Sequence, residues 1–398
     1  MSAMKRLFQL MSDKKASDIF LSVGAPINIK INGVAMPVNQ AIMNTDAIKQ
    51  LLYEVLNERQ IREFEEEMEL NTAFALEGVG AFRISAFRQK GSPAVVVRFI
   101  PGSIPGLDTL GVPEVLKEVI MQKRGLILMV GATGSGKSTT LAAMLELRNR
   151  SLPGHILTIE EPIEFLFQSK KCVVNQREIG RDTESLQVAL RNALRQSPDC
   201  IMIGEIRDRE TMTAALSYAL SGHLVLASMH ANNSHHALGR ILSFYAPESR
   251  QVLLADLAAG LRAIVSQRLL RAEAGGRIPA VEVLFNSNLV AELIMKGDFH
   301  AVHEAMEKSL AEGSITFEEA IALMVRDGVV SRDEGLSHAD SVTNLVWRLQ
   351  NDATPVSRVS LKREESDQPV FTDFTVDVLP EGFVERRQAT STFPPLSR

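Results

Sequence analysis

The sequence predicts an α/β protein built on a mostly parallel sheet, with a smaller α/β domain ahead of it and a helical region behind. Three observations predict this. Between 125 and 285, short apolar runs alternate with helical patterns, as in chains of β-α units. One such run, Leu126-Ile127-Leu128-Met129-Val130, opens into a glycine-rich loop and then into the helix-forming Thr140-Leu141-Ala142-Ala143-Met144-Leu145. Later runs end in acids or in histidine, and ligands of such sheets bind beyond the carboxyl ends of the strands.

The loop is Gly131-Ala132-Thr133-Gly134-Ser135-Gly136-Lys137-Ser138. Strand, glycine loop and helix together are the context of a phosphate-binding P-loop. The glycines let successive N–H groups point into one concavity at the positive end of the following helix. Lys137 adds a point charge for the β- and γ-phosphates, and Ser138 offers a hydroxyl to Mg²⁺. A dinucleotide fingerprint fails, because Thr139 stands where its third glycine is needed. The loop therefore reads as a nucleoside triphosphate site spanning 131–139.

The 398 residues suffice for two or three domains with substantial cores. Composition is that of a globular chain: 45% hydrophobic, 23% charged, mean hydropathy +0.03. A net charge of −5 weighs against a nucleic-acid partner. Cys172 and Cys200 form no C-x-x-C pair, which excludes a cysteine-only zinc site and a disulfide framework. No apolar run approaches the ~18 residues of a membrane span. Lys5, Arg6, Asp13, Lys14 and Lys15 come too early for a signal peptide, so a cytoplasmic protein is expected.

Residues 1–100 read as the small α/β domain. Strands are expected at 18–23 and 27–31, with Asn32-Gly33 as a hairpin turn before Val34-Ala35-Met36. Thr45 is the expected cap of a helix whose apolar face is Leu51, Leu52, Val55 and Leu56. The acidic run 63–69 fits a solvated helix end. Three further strands, at 71–75, 81–87 and 94–99, carry Arg83, Arg88 and Arg98. Those arginines are either exposed salt-bridge partners or cationic fingers for a neighbouring subunit's phosphates.

Pro101-Gly102-Ser103-Ile104-Pro105-Gly106 is the clearest break, and 101–113 reads as a hinge linker. The core domain, 114–286, has strands expected at 126–130, 156–159, 200–203, 224–228 and 280–285. Helices are expected near 138–149, 183–195, 209–220 and 234–244, with a long one over 248–269. Short amphipathic helices fill 287–350. The tail, 351–398, has five prolines and no sustained period, a composition expected to be disordered apart from one candidate strand at 370–378.

Cys200-Ile201-Met202-Ile203 runs into Gly204-Glu205-Ile206-Arg207-Asp208, so an apolar strand ends in an acid. There Glu205 can act as general base or orient the attacking water, and can also hold Mg²⁺ through water. Thr158-Ile159-Glu160-Glu161-Pro162-Ile163-Glu164 crowds three carboxylates at another strand end. Like charges this close call for Mg²⁺ or arginines, and Arg83, Arg88, Arg98, Arg191 and Arg195 are available. His223 and His230 bracket the strand between them, which suggests a γ-phosphate sensor at His230. His235 and His236, on the following helix, are expected to be solvated.

Taken together these four segments resemble the secretion and pilus-motor ATPases, over roughly residues 1–350. In that family they are Walker A (131–138), the Asp box (160–164), Walker B (200–208) and the His box (223–230). The resemblance implies ATP and Mg²⁺ as ligands, a RecA-like core, and a homohexameric ring. In such rings a PAS-like N-terminal domain supplies arginines to the neighbour's nucleotide, which maps to Arg83 and Arg98. It implies catalytic roles for Glu205, Glu164 and His230.

Within the family the short N-terminal domain looks like that of a type IV pilus retraction motor. Ser287-Asn288-Leu289-Val290-Ala291 in place of the main motor's Ala-Ile-Arg motif, with the extra tail, is similar to the accessory retraction ATPases. Glu161 stands where Asp is common. The implied partners are the primary retraction ATPase and the inner-membrane pilus platform protein, with the ring peripheral to that membrane. A pilus-assembly or type II secretion motor, or a mainly structural ring partner, are the alternative functions.

Overall fold

The computed structural model describes residues 2–351, apart from 32, 33, 77, 102, 309 and 312. The Asn32-Gly33 turn and the candidate strand at 370–378 lie outside the described residues. The chain divides into two compact units, one ending at Gly102 and one starting at Ser103.

The first unit runs α1 (Ala3–Asp13), β1 (Asp18–Ser22), β2 (Pro26–Ile31), β3 (Val34–Ile42), α2 (Thr45–Tyr53), α3 (Glu58–Glu67), β4 (Glu69–Leu76), β5 (Gly80–Gln89) and β6 (Ser92–Pro101). Its six strands form one antiparallel sheet in the order β3-β2-β1-β6-β5-β4. Helix α1, absent from the sequence reading, buries Met4, Leu7, Phe8 and Met11, an i, i+3, i+4, i+7 stripe. Phe8 stacks on Phe82 with ring centroids 4.0 Å apart. The cap of α2 is Asn44 rather than Thr45, its Oδ1 accepting from the Ala47 N–H at 2.8 Å. Asn57 and Gln60 form a reciprocal capping box at the start of α3.

The second unit continues α4 (Val115–Ile120), β7 (Gly125–Val130), α5 (Lys137–Ser151), β8 (Gly154–Glu160), β9 (Cys172–Glu178), α6 (Leu186–Ala193), β10 (Cys200–Ile203), α7 (Arg209–Leu220), β11 (Leu224–Met229), α8 (Ser234–Ser243), α9 (Arg250–Gly260), β12 (Leu261–Arg271) and β13 (Arg277–Phe285). Helices α10 (Asn288–Lys296), α11 (Phe299–Glu307), α12 (Phe317–Arg326), α13 (Arg332–His338) and α14 (Val342–Asn351) close it. The seven-stranded sheet has the order β13-β12-β7-β11-β10-β8-β9, and β13 alone runs antiparallel to its neighbour.

Central strands covered on both faces need continuous apolar runs, and all five residues 126–130 are 0% exposed. Leu126, Leu128 and Val130 face the α6–α11 side, and Ile127 and Met129 face α4 and α5. Truncating one of them to Ala would cost about 2–5 kcal/mol. Leu107, in the stretch expected as a linker, is buried in that second layer.

Two expectations fail here. The long helix over 248–269 is instead α9, ending at Gly260, followed at once by β12. A buried strand beside β7 is apolar on both faces, so Leu261 to Leu270 extends the apolar pattern of α9 without a visible change of period. Strand β9, at the sheet edge, was not expected. Among the described residues it pairs only with β8, and its polar Asn175, Gln176, Arg177 and Glu178 give little strand signal.

Both cysteines are sealed inside this unit, Cys200 at 0% and Cys172 at 2% exposure. Burial pushes the Cys200 thiol up to about 12 and raises that of Cys172.

Candidate active site

The P-loop is where the sequence places it, between β7 and α5. Gly131, Gly134 and Gly136 all have positive φ, at 153°, 79° and 87°. A Cβ on Gly131 would sit 2.5 Å from the Gln267 carbonyl oxygen, so only glycine fits there. Lys137 Nζ donates to the Gly131 and Ala132 carbonyls at 2.7 and 2.8 Å. Burial holds this ammonium below the ordinary lysine value, while Glu205 and Glu164 pull it back up. Both carboxylates are therefore within electrostatic reach of Lys137. Ala132, Thr133, Gly134 and Ser138 are exposed at the loop surface, and Thr139 is half-buried.

Parallel pairing brings the other motifs to the same edge. Ile203 is level with Ile159 on one side and Ala227 on the other, and Met229 with Val130. His230 therefore follows Met229 as Gly131 follows Val130, and His230 Nδ1 lies 3.3 Å from the Gly131 oxygen. The opposite ring nitrogen, Nε2, lies 3.2 Å from Glu205 Oε1. Arg207 takes the other oxygen: its Nε and Nη2 are each 2.7 Å from Glu205 Oε2. Its Nη1 donates to Glu161 Oε2 at 3.2 Å. A chain of polar contacts thus runs Glu161, Arg207, Glu205, His230 and on to the P-loop.

The Asp-box acids separate by environment. Glu160 is buried, accepting from the Thr158 hydroxyl at 2.6 Å and Gln176 Nε2 at 3.1 Å. Burial pushes its carboxyl above the usual range, against the pull of those bonds and of the Glu164 backbone N–H. Glu161 and Glu164 are exposed. The cation balancing Glu161 is Arg207, and among the described residues Arg191 and Arg195 pair with none of these acids.

This donor set fits a triphosphate and a hard cation. The glycine cradle admits no Cβ at Gly131, and the oxygens of Ser138 and Glu205 suit Mg²⁺.

The family model described as "Type II/IV secretion system protein" matches residues 2–296. The chain belongs to that family. It is 44% identical to the type IV pilus ATPase PilU of Pseudomonas aeruginosa over 342 residues, 86% of this chain and 90% of PilU. It is 37% identical to PilT of the same organism, described as a type IV pilus retraction ATPase, over 84% of this chain and 97% of PilT. The crystal structure of the pilus retraction motor PilT with bound ADP superposes with a TM-score of 0.80 at 35% identity, covering 86% of this chain and 98% of that one.

Arg83, Arg88 and Arg98 of the N-terminal unit prove unlike one another. Arg83 and Arg98 are cross-strand partners on one face of the sheet. Arg98 Nε donates to Asp18 Oδ1 at 2.9 Å. Arg88, five residues after Arg83, falls on the opposite face. It pairs with Glu65 and lies over the Phe64 ring at 5.4 Å, which is a structural role.

Of the remaining histidines, His223 brackets the strand as expected and His235 does not behave as expected. His223 sits at the amino end of β11, away from the P-loop edge, with Nδ1 near the Tyr218 oxygen at 3.3 Å. His235 is not solvated: it packs between His236 and His303, with ring centroids 4.3 and 4.6 Å away. Burial, with those histidines, lowers it to about 4.

Sequence reasoning missed the roles of Arg207, Gln176 and Gln267. Arg207 lies within Walker B, two residues from Glu205, and that spacing was the available signal. Gln176 sits on β9 and Gln267 on β12, the two strands that periodicity did not reveal.

Proposed function

We propose that this chain is a Mg²⁺-dependent ATPase that powers or assists type IV pilus retraction, working as a homohexameric ring. The observation that carries the reading is the convergence of Lys137, Glu205 and His230 on one sheet edge, in a chain this similar to PilU and PilT along most of its length. On this reading the N–H groups of 131–138 bind the phosphates and Lys137 exchanges its two carbonyl acceptors for phosphate oxygens. Ser138 and Glu205, the latter through water, would hold Mg²⁺, which supplies charge neutralisation between the phosphates. Glu205 accepts the proton of the attacking water. Arg207 and His230 fix its two oxygens, and Glu164 adds to the field around Lys137. Arg83 and Arg98 serve the site of a neighbouring subunit. The ring's further partners are the primary retraction motor and the inner-membrane platform protein, which would hold a cytoplasmic ring at the membrane. No helix among the described residues is long and apolar enough to cross a membrane.

The test compares Glu205→Gln with wild type. The amide keeps a hydrogen bond to each neighbour but takes no proton, so kcat should fall by roughly 10²–10⁴ with nucleotide affinity nearly unchanged. In cells the same substitution should leave surface pili in place and abolish or reduce twitching. Near wild-type turnover would remove Glu205 as the base, and loss of surface pili would point to an assembly motor.

A further inference from the structure

Gln267 enters the site above only through its backbone oxygen beside Gly131, yet its side chain touches the P-loop as well. Ser266 on β12 is level with Val130, so Gln267 is level with the start of the loop. It is 2% exposed. Its Nε2 donates to the Ser135 carbonyl at 2.8 Å, and its Oε1 accepts from the Thr140 hydroxyl at 2.9 Å. Its backbone oxygen lies 2.5 Å from the Cβ position of Gly131, and its Nε2 lies 2.7 Å from that of Gly136.

The peptide unit between Ser135 and Gly136 is planar and trans, so its C=O and N–H point in opposite directions. Anchoring the carbonyl on Gln267 therefore turns the Gly136 N–H away from β12. That N–H belongs to the set that binds phosphate in the reading above. The Ser135 carbonyl fixes which way the Gln267 amide faces, because a flipped amide would set Oε1 against it, and the Thr140 hydroxyl then satisfies the Oε1 on the other side. A buried carbonyl left without its donor would also be costly, so the loop has reason to keep this arrangement.

We propose that Gln267 is a positioning residue for nucleotide binding, acting through the Ser135–Gly136 peptide, with the Thr140 hydroxyl as the second hydrogen-bond partner that holds its amide in place. This rests on the P-loop being the phosphate site. A residue that merely fills the core would affect melting and leave the affinity of the folded protein untouched. A positioning residue moves affinity and KM more than kcat, since the hydrolytic groups on β10 and β11 are not its contacts.

The experiment titrates fluorescent mant-ADP, with Mg²⁺, into the purified full-length chain and its variants, with circular-dichroism melts and steady-state ATPase kinetics alongside. Gln267→Leu removes both hydrogen bonds at similar volume and should weaken mant-ADP binding roughly tenfold, raising KM with kcat within about threefold. Thr140→Val should weaken binding in the same direction by less. The double variant should bind no more weakly than Gln267→Leu alone, because both act through one amide. Wild-type affinity in a folded Gln267→Leu overturns the proposal. If that variant fails to fold, wild-type affinity in Thr140→Val overturns it instead. Lys137→Ala separates the premise: its binding as wild type would remove the P-loop reading, whereas lost binding there with retained binding in Gln267→Leu would remove only the role of Gln267.

Discussion

Arg83 and Arg98 stand directly opposite each other in the β5–β6 ladder, with Asp18 beside Arg98 as the acid of that cross-strand row. Like charges in that position are destabilising. Asp18 answers Arg98, and among the described residues Arg83 makes no ion pair. With Lys30 opposite Asp18 on its other side, the row Lys30, Asp18, Arg98 and Arg83 sets three cations against one carboxylate.

The first prediction follows for Arg83→Ala. Removing a like-charge neighbour should leave the melting temperature unchanged or raise it. If the group serves a neighbour's phosphates, turnover should fall by roughly 10³-fold or more. Arg98→Ala differs, because it strips the buried Asp18 of its ion pair and should lower the melting temperature as well. Mixing Arg83→Ala chains with Glu205→Gln chains should restore activity at interfaces that pair an intact Arg83 with an intact Glu205. Full activity in Arg83→Ala alone would leave the row a surface charge cluster. No recovery in verified mixed rings would count against action between subunits.

A second prediction concerns pH. The unfolded chain protonates His235 near 6.5, whereas the folded protein resists until about 4, because burial and the neighbouring His303 and His236 oppose the charge. The unfolded state therefore binds more protons through that window, and His235 removes stability as pH falls from 6.5 toward 4. Asp340 opposes the effect only in part. His235→Phe keeps a ring against His236 and His303 without the titration. Melting temperatures between pH 7 and pH 5 should fall more steeply for wild type than for this variant. Parallel curves would show that His235 stays unprotonated in both states or charges without penalty.

The third prediction separates hydrogen bonding from charge at Glu282. This fully buried carboxyl on β13 accepts from the Ser234 N–H at 2.7 Å and the Ser266 hydroxyl at 3.0 Å. Burial raises it above the ordinary carboxylate range. A raised acid contributes stability at low pH that is lost as pH rises through its folded value. Glu282→Gln keeps an acceptor without the charge, so its stability relative to wild type should improve from pH 5 to pH 8 in urea melts. Glu282→Leu leaves the Ser234 N–H without its acceptor at the start of α8 and should cost about 1–3 kcal/mol. A Leu variant as stable as wild type would show that the helix start needs no such anchor.

How much the sequence revealed depended on what each residue does. Lys137, Glu205 and His230 announce themselves, since each follows an apolar run and a parallel sheet gathers such ends. The residues that hold them are quieter. Gln176 steadies Glu160 from β9, an edge strand whose polar face carries no strong alternation. Gln267 braces the loop from β12, whose both-sided burial continues the apolar pattern of α9 past Gly260. Arg88 had the composition of a finger, but strand parity turns it to the opposite face, where Glu65 holds it. Periodicity reports burial, and a supporting amide inside a buried strand leaves no separate mark.

The sealing of Cys172 and Cys200 has a practical corollary for watching this motor move. A thiol reagent needs a thiolate that solvent can reach, and both native sulfurs are withheld on each count. A cysteine added on an exposed loop of the natural sequence would then be the fast-reacting site, so maleimide dyes can report distances between subunits without first rebuilding the chain as a cysteine-free variant.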